Sequence, residues 1–191
     1  MREIVIKSLK DNSLIMLACF LVFLAGTVSG FVIYPFIREN VEEIVNSFYE
    51  GVITDTPLAT ARNIFFRNIQ ATSAMIIVGF TVIGPPMLLF FNGLASGIVL
   101  EYALTKGVSI QKLFYAVAPH ALPEVLAFLL TASLGIRIGM SLVFPNGGRI
   151  KSFKKSVKEA SFVYITVVVP LLLTACLLEV FVSAKLAAHT P

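Results

Sequence analysis

The stretch Ala118-Pro119-His120-Ala121-Leu122-Pro123-Glu124 places a histidine and a carboxylate near the start of an apolar segment that continues to Phe144. Further along the same segment, Leu134-Gly135-Ile136-Arg137-Ile138-Gly139 adds an arginine. The segment is long enough to cross a bilayer as a helix. Ionisable side chains inside such a run are costly and by default mark functional positions. We therefore interpret this stretch as a membrane span that carries the chemistry of the protein.

The composition of the whole chain supports a membrane protein. Hydrophobic residues make up 57% of the 191 residues and charged residues only 14%. A soluble domain could not bury so much apolar surface, and the length fits a single integral membrane domain, residues 1–191. The lipid bilayer is the expected partner. No cluster of basic and aromatic residues points to nucleic acid, so no nucleic-acid partner is expected.

Other apolar segments flank the first one and predict an all-α fold, a polytopic bundle of transmembrane helices with short interfacial helices. About five spans are expected, at about 14–36, 68–83, 86–105, 119–144 and 160–184. Residues 40–53 predict an amphipathic helix on the membrane surface, and residues 109–117 a second short interfacial helix. Residues 145–159 are expected to form a basic cytoplasmic loop.

The basic residues set the expected orientation. Arg2, Lys7 and Lys10 precede the first span, and five more basic residues lie in 145–159. Both groups are cytoplasmic only if Gly84-Pro85-Pro86 is a turn between two spans. We therefore expect a multi-pass protein of the cell membrane, with the N-terminus in the cytoplasm and the C-terminus outside.

This topology brings polar side chains from four spans to one depth in the outer part of the bilayer. The depth follows from a rise of about 1.5 Å per helical residue from the cytoplasmic end of each span. The residues are Asn68, Glu101, His120, Glu124 and Glu179, with Gln70 just beneath Asn68. His120 and Glu124 are four residues apart and share one helical face. Asn92, near the middle of its span, is expected to hydrogen bond across helices.

Two interpretations of this polar layer stay open. Carboxylates in apolar surroundings must pair, bind a cation, stay protonated or meet water. The layer is therefore either a structural hydrogen-bonded cluster or a site for Zn²⁺ or another divalent metal, with His120, Glu124, Glu101 and Glu179 as candidate ligands. The spacing of His120 and Glu124 lacks the second histidine of HExxH, so the protease motif is not matched.

Arg137 and the small residues have a separate expected role. Arg137 lies about 20 Å along the helix from Glu124, so we expect it to reach the cytoplasmic headgroups as an anchor. Gly135 and Gly139 leave a groove for a neighbouring helix, and Gly93 and Gly97 repeat the same spacing. These patterns predict close helix packing and a homodimer or other homo-oligomer.

At these positions the chain resembles the stage II sporulation protein M family of small multispanning membrane proteins. The resemblance rests on three stretches, Pro119-His120-Ala121-Leu122-Pro123-Glu124, Gly135-Ile136-Arg137-Ile138-Gly139 and Asn92-Gly93-Leu94-Ala95-Ser96-Gly97, and Asn68 fits the same pattern. Ala121 stands where the family usually has glycine. The resemblance implies a membrane complex that, in sporulating members, recruits cell-wall hydrolases during engulfment. It implies no catalytic residue, and many relatives occur in organisms without spores.

The first functional hypothesis is therefore a membrane scaffold or assembly protein of this family, with other membrane or cell-envelope proteins as partners. One alternative is a transporter or channel for ions or small solutes, with Glu101, His120, Glu124 and Glu179 as a relay. A second is an intramembrane metal-dependent hydrolase. An enzymatic role is the less favoured reading because the sequence lacks a complete catalytic constellation.

Overall fold

The computed structural model describes residues 2–145 and 148–189, with side chains from residue 12 onward. All regular structure in these residues is helical. Five helices are long and apolar enough to cross a membrane, and they cover Asn12–Ile37, Pro57–Thr81, Gly84–Thr105, Ile110–Val143 and Arg149–Ala188. The predicted all-α multispanning fold is confirmed. The side chains of Arg2, Lys7 and Lys10, on which part of the expected orientation depends, lie outside the described residues, as do positions 146–147 of the expected loop.

The helices are named in chain order. They are α1 Arg2–Ile37, α2 Val41–Tyr49, α3 Pro57–Ile77, α4 Gly84–Thr105, α5 Ile110–Val143, α6 Arg149–Val163, α7 Val169–Leu178 and α8 Ala184–Ala188. A short 3₁₀ turn, Val78–Thr81, extends α3. Two π-helical turns, Tyr164–Val168 and Glu179–Ser183, join α6, α7 and α8 into one continuous stretch that we call the C-terminal helix.

Helix α5 is the centre of the bundle. In an apolar stretch of 18 residues within α5, 67% of the residues are buried. In the corresponding stretches of the other four spans, 17–22% of the residues are buried. The buried residues run from Ala127 to Gly139, and they pack against α1, α3, α4 and the C-terminal helix. The stretch from which the sequence analysis started therefore forms the element that all the other spans contact.

The expected boundary between an interfacial helix at 109–117 and a span at 119–144 is wrong. Helix α5 runs without a break from Ile110, with Pro119 and Pro123 inside it. Ser109 caps its start, since its side chain accepts a hydrogen bond from the backbone nitrogen of Lys112. A proline removes one backbone donor, and membrane helices tolerate that loss where neighbouring helices and polar side chains surround the freed carbonyl.

Two further boundaries differ from the expectation. Residues 145–159 were expected to form a loop, but α6 begins at Arg149, so most of this basic segment is helical. Only residues 144–148 lie between α5 and α6. The turn between α3 and α4 lies at Val82 and Ile83, so Gly84-Pro85-Pro86 begins α4 rather than ending the span before it. Proline is favoured in the first turn of a helix, where its missing donor has no partner to lose.

The glycine pairs bring helices of this one chain together. Gly26 and Gly30 of α1 face Gly93 and Gly97 of α4, and an added Cβ at Gly97 would overlap the carbonyl oxygen of Thr27. The expected close packing at Gly93 and Gly97 is therefore present within the chain.

The second glycine pair, Gly135 and Gly139, also contacts another helix of the same chain. Gly135 and Gly139 receive the end of α3, and a Cβ at Gly139 would overlap the carbonyl oxygen of Gly79. Because both small-residue faces are occupied within the monomer, they no longer argue for a homodimer. The oligomeric state stays a prediction.

Candidate metal centre

Three of the four proposed ligands converge near one end of the bundle. One potential ligand atom from each of His120, Glu124 and Glu179 lies within 4.8 Å of the other two. His120 and Glu124 lie one turn apart on α5, and Glu179 faces them from the C-terminal helix. All three side chains are half-buried. Two carboxyl groups and an imidazole this close together can bind a divalent metal ion such as Zn²⁺.

Two hydrogen bonds position this cluster. The amide nitrogen of Asn68, on α3, donates to Oε1 of Glu124 at 3.3 Å. Nδ1 of His120 lies 3.0 Å from the hydroxyl oxygen of Ser183. Asn68 therefore ties a third helix to the cluster, and the contact with Ser183 leaves Nε2 as the imidazole nitrogen that can bind a further group.

The backbone around Glu179 is irregular. Glu179 begins the π-helical turn that ends at Ser183. Such turns are rare and occur often at functional sites because they shift the helical register. From this turn the Glu179 side chain approaches His120 and Glu124, and the Ser183 hydroxyl contacts His120.

A cavity of about 730 Å³ opens beside the cluster. Its walls come from α2, α3, α4, α5 and the C-terminal helix. Apolar side chains such as Leu88, Phe91 and Val99 form part of its wall. Its polar lining consists of Tyr49, Arg67, Asn68, Asn92, Ser96, His120, Glu124, Glu179 and Ser183. The cluster is therefore reached from a mixed cavity large enough for a small organic molecule.

Tyr49 lines this cavity from the end of α2, outside the membrane spans. Burial, and after it the Glu179 carboxyl, raise the pKa of Tyr49. The hydroxyl therefore stays protonated and can donate a hydrogen bond into the cavity.

The remaining predicted residues lie elsewhere. Glu101 follows Gly93 and Gly97 at four-residue intervals, on the α4 face that packs against α1, and it is absent from both the cluster and the cavity lining. Gln70 is exposed on α3 and does not line the cavity. Asn92 does line it, but its amide donates to the carbonyl of Leu88 on its own helix, at 2.9 Å, instead of across to a neighbour.

Arg137 lies at the opposite end of the bundle. Its guanidinium is 3.7 Å from a carboxylate oxygen of Glu159, and its side chain is 30% exposed. The ion pair with α6 was not anticipated, because residues 145–159 were expected to be a loop.

Sequence reasoning missed three residues of this site: Ser183, Arg67 and Tyr49. Ser183 carried a usable signal, since it lies four residues after Glu179 and would share its helical face. Arg67 and Tyr49 carried no such signal, because their approach to the cluster depends on how α2 and α3 pack.

The family model described as stage II sporulation protein M matches residues 19–184. The chain belongs to the stage II sporulation protein M family. In this family member the match includes Asn68, His120, Glu124, Glu179 and Ser183, so the whole cluster lies in the part of the chain that the family shares. A search of curated proteins and a search of solved structures gave no match.

Proposed function

We propose that this member of the stage II sporulation protein M family is an integral membrane assembly protein whose helices are tied together by a metal ion. The convergence of His120, Glu124 and Glu179 within 4.8 Å carries the proposal. Zn²⁺ takes imidazole and carboxylate ligands and stabilises the fold wherever it joins separate elements. Here the ion joins α5 to the C-terminal helix near one end of the bundle.

The surroundings of the cluster fit a metal site. Metal-binding side chains are usually held in place by hydrogen bonds from a surrounding layer of residues. Ser183 and Asn68 hold His120 and Glu124 in this way. In a tetrahedral zinc site with bonds of about 2.1 Å the ligand atoms are about 3.4 Å apart. The ligand atoms, which lie within 4.8 Å of one another, therefore need to close by up to about 1.4 Å, and we expect rotation of the two glutamate side chains to allow this.

Membership of the family supports the assembly role. In sporulating members the family implies a membrane complex that recruits cell-wall hydrolases. We propose that this chain lies in the cell membrane, with its N-terminus inside, its C-terminus outside and the metal centre towards the outer face. Cell-envelope proteins would then bind the end that contains α2, the cavity and the metal centre.

A second candidate function is hydrolysis of an amphiphilic substrate. Three protein ligands with one open coordination position are typical of catalytic zinc sites, and the cavity of about 730 Å³ next to the cluster gives a substrate room. Transport is less well supported, because buried apolar side chains fill the bundle between the cluster and Arg137. These include Met75, Leu89, Phe128, Leu129 and Ala132.

Metal content tests the proposed site directly. We expect about one transition-metal ion per chain in the detergent-purified wild type. His120→Ala, Glu124→Ala and Glu179→Gln should each lose it and remain helical. Glu101→Gln is the matched control and should keep the metal, because Glu101 lies outside the cluster. A folded wild type without metal, or variants that keep it, would refute the metal centre.

A second measurement separates assembly from hydrolysis. Cross-linking in native membranes followed by native gel electrophoresis should give a complex larger than the monomer, and Glu179→Gln should reduce it while Glu101→Gln does not. A wild type that migrates as a monomer would contradict the assembly role. Hydrolysis would instead be indicated by metal-dependent release of product from vesicle lipids or short peptides, lost in Glu124→Gln.

A further inference from the structure

A second pocket lies at the end of the bundle opposite to the candidate metal centre. It has a volume of about 580 Å³ and lies between the end of α5, the first three turns of α6 and Ile15 of α1. Three cationic side chains and three serines line it, namely Arg137, Lys151, Lys155, Ser141, Ser152 and Ser156. We call it the basic pocket.

The charge of the basic pocket is unbalanced. Glu159 is the one carboxylate among its lining residues. It lies 3.7 Å from Arg137 and 4.0 Å from Lys155, so it is shared between two cations. Lys151 has no carboxylate partner among the lining residues. The lining therefore holds two more positive than negative charges, which favours a bound anion.

The cations of the basic pocket match a phosphate group. Lysine and arginine bind phosphate by charge, and a serine hydroxyl such as that of Ser156 can donate a hydrogen bond to a phosphate oxygen. The Ser141 hydroxyl already donates to the carbonyl oxygen of Ile138 at 2.6 Å. Because Lys151 and Lys155 are one helical turn apart on α6, both ammonium groups can reach a single phosphate.

The position of the basic pocket favours a lipid as the source of that phosphate. Met140, on the last turn of α5, and Phe144, which directly follows α5, form part of its wall. Phe144 is 70% exposed, so an apolar surface continues from the pocket along the outside of the span. Arg137 lies less than two turns from the end of α5, at the level where phospholipid headgroups meet a membrane helix. A lipid could place its headgroup on the cations and its acyl chain on this apolar surface.

We propose that the basic pocket binds the headgroup of an anionic phospholipid, with Lys151 and Lys155 on the phosphate and Arg137 beneath it. The proposal is independent of the metal centre, since the two sites share no residue. Basic pockets between membrane helices are known to bind anionic headgroups. Lipid bound here would hold α6 against the end of α5, beside the ion pair between Arg137 and Glu159.

The test compares two double variants of α6 with the same change in charge. Lys151→Gln with Lys155→Gln alters the basic pocket. Lys154→Gln with Lys158→Gln is the matched control, because both of these lysines are exposed on α6 and neither lines the pocket. Full-length protein in detergent is titrated with phosphatidylglycerol, phosphatidylcholine or soluble glycerol 3-phosphate, and native mass spectrometry counts the bound lipid.

We expect saturable binding of phosphatidylglycerol that is tighter than binding of phosphatidylcholine. The pocket variant should weaken the binding of phosphatidylglycerol by roughly 25-fold, since each lysine near an anionic headgroup contributes about fivefold in affinity. The control should change the affinity by less than about threefold, since Lys154 and Lys158 lie outside the pocket and attract the lipid only at longer range, where salt screens the charge. Equal losses in the two variants would show diffuse attraction to charged lipid and overturn the proposal. So would equal binding of phosphatidylcholine, or displacement of the lipid by glycerol 3-phosphate at the same phosphate concentration.

Discussion

At the scale of single residues, the contact between Asn68 and Glu124 explains why a neutral side chain matters for the candidate metal centre. The Asn68 amide donates to one oxygen of Glu124 at 3.3 Å and leaves the other oxygen available. Residues that hold a metal ligand in this way tune the affinity of the site without touching the ion.

We therefore predict that Asn68→Ala lowers zinc affinity by roughly 10- to 100-fold, the usual effect of removing such a supporting group. The measurement is competition with a zinc-binding dye in detergent. Gln70→Ala is the control, because Gln70 is on the same helix but exposed and away from the cavity. Similar affinities in the two variants would mean that Asn68 does not orient Glu124.

Between elements, α1 and α4 approach each other closely through glycines. Gly97 is buried, and any side chain there would meet the backbone of α1 at Thr27. In a bilayer the association of helices depends on close packing and not on the hydrophobic effect, so the loss of this approach is not compensated by burial elsewhere.

Gly97→Ala should accordingly destabilise the bundle by about 1–3 kcal/mol, the usual cost of overpacking a well-filled interface. Equilibrium unfolding in mixed detergent with SDS measures this. Ser96→Ala is the control. Ser96 is exposed, and its hydroxyl donates to the carbonyl of Asn92 on the same helix, so its removal should leave the free energy of unfolding almost unchanged. Unchanged stability of Gly97→Ala would show that α1 and α4 are free to move apart.

For the whole molecule, the proposed topology has α5 cross the membrane once, which places the two ends of α5 in different aqueous compartments. Lys106 precedes α5, and Lys154 follows it on α6. Lys106 lies 3.4 Å from Glu42, and this carboxylate raises the pKa of Lys106. Helix α2 therefore lies at the same end of the bundle as the end of α4.

We predict that a cysteine at Lys154 reacts with an impermeant maleimide only from the cytoplasmic side, and a cysteine at Lys106 only from outside. The native Cys19 and Cys176 are buried and should not interfere. Labelling of intact cells before and after permeabilisation gives the answer. Both positions reacting from one side would rule out five spans, and exchange of the two sides would invert the proposed orientation.

The sequence by itself determined the fold class, the number of long apolar helices and the common level of His120, Glu124 and Glu179 along the bundle. Hydropathy and helical rise act along one chain segment at a time, so residue counting is enough to place His120, Glu124 and Glu179 at one level. The start of α3 was equally local: Thr56 caps it with Pro57 following, as that pair of residues predicts.

Only the tertiary structure decided which of those residues meet. Residue counting puts Glu101 at the depth of Glu124, but Glu101 is absent from the cluster, because the contact of Gly93 and Gly97 with α1 sets the rotation of α4 about its axis. Contacts with neighbouring helices also decided three local features. These are the continuity of α5 through Pro119, the π-helical turn at Glu179 and the helix at 149–159. Depth follows from distance along the chain, whereas the direction in which a side chain points depends on how the helices pack.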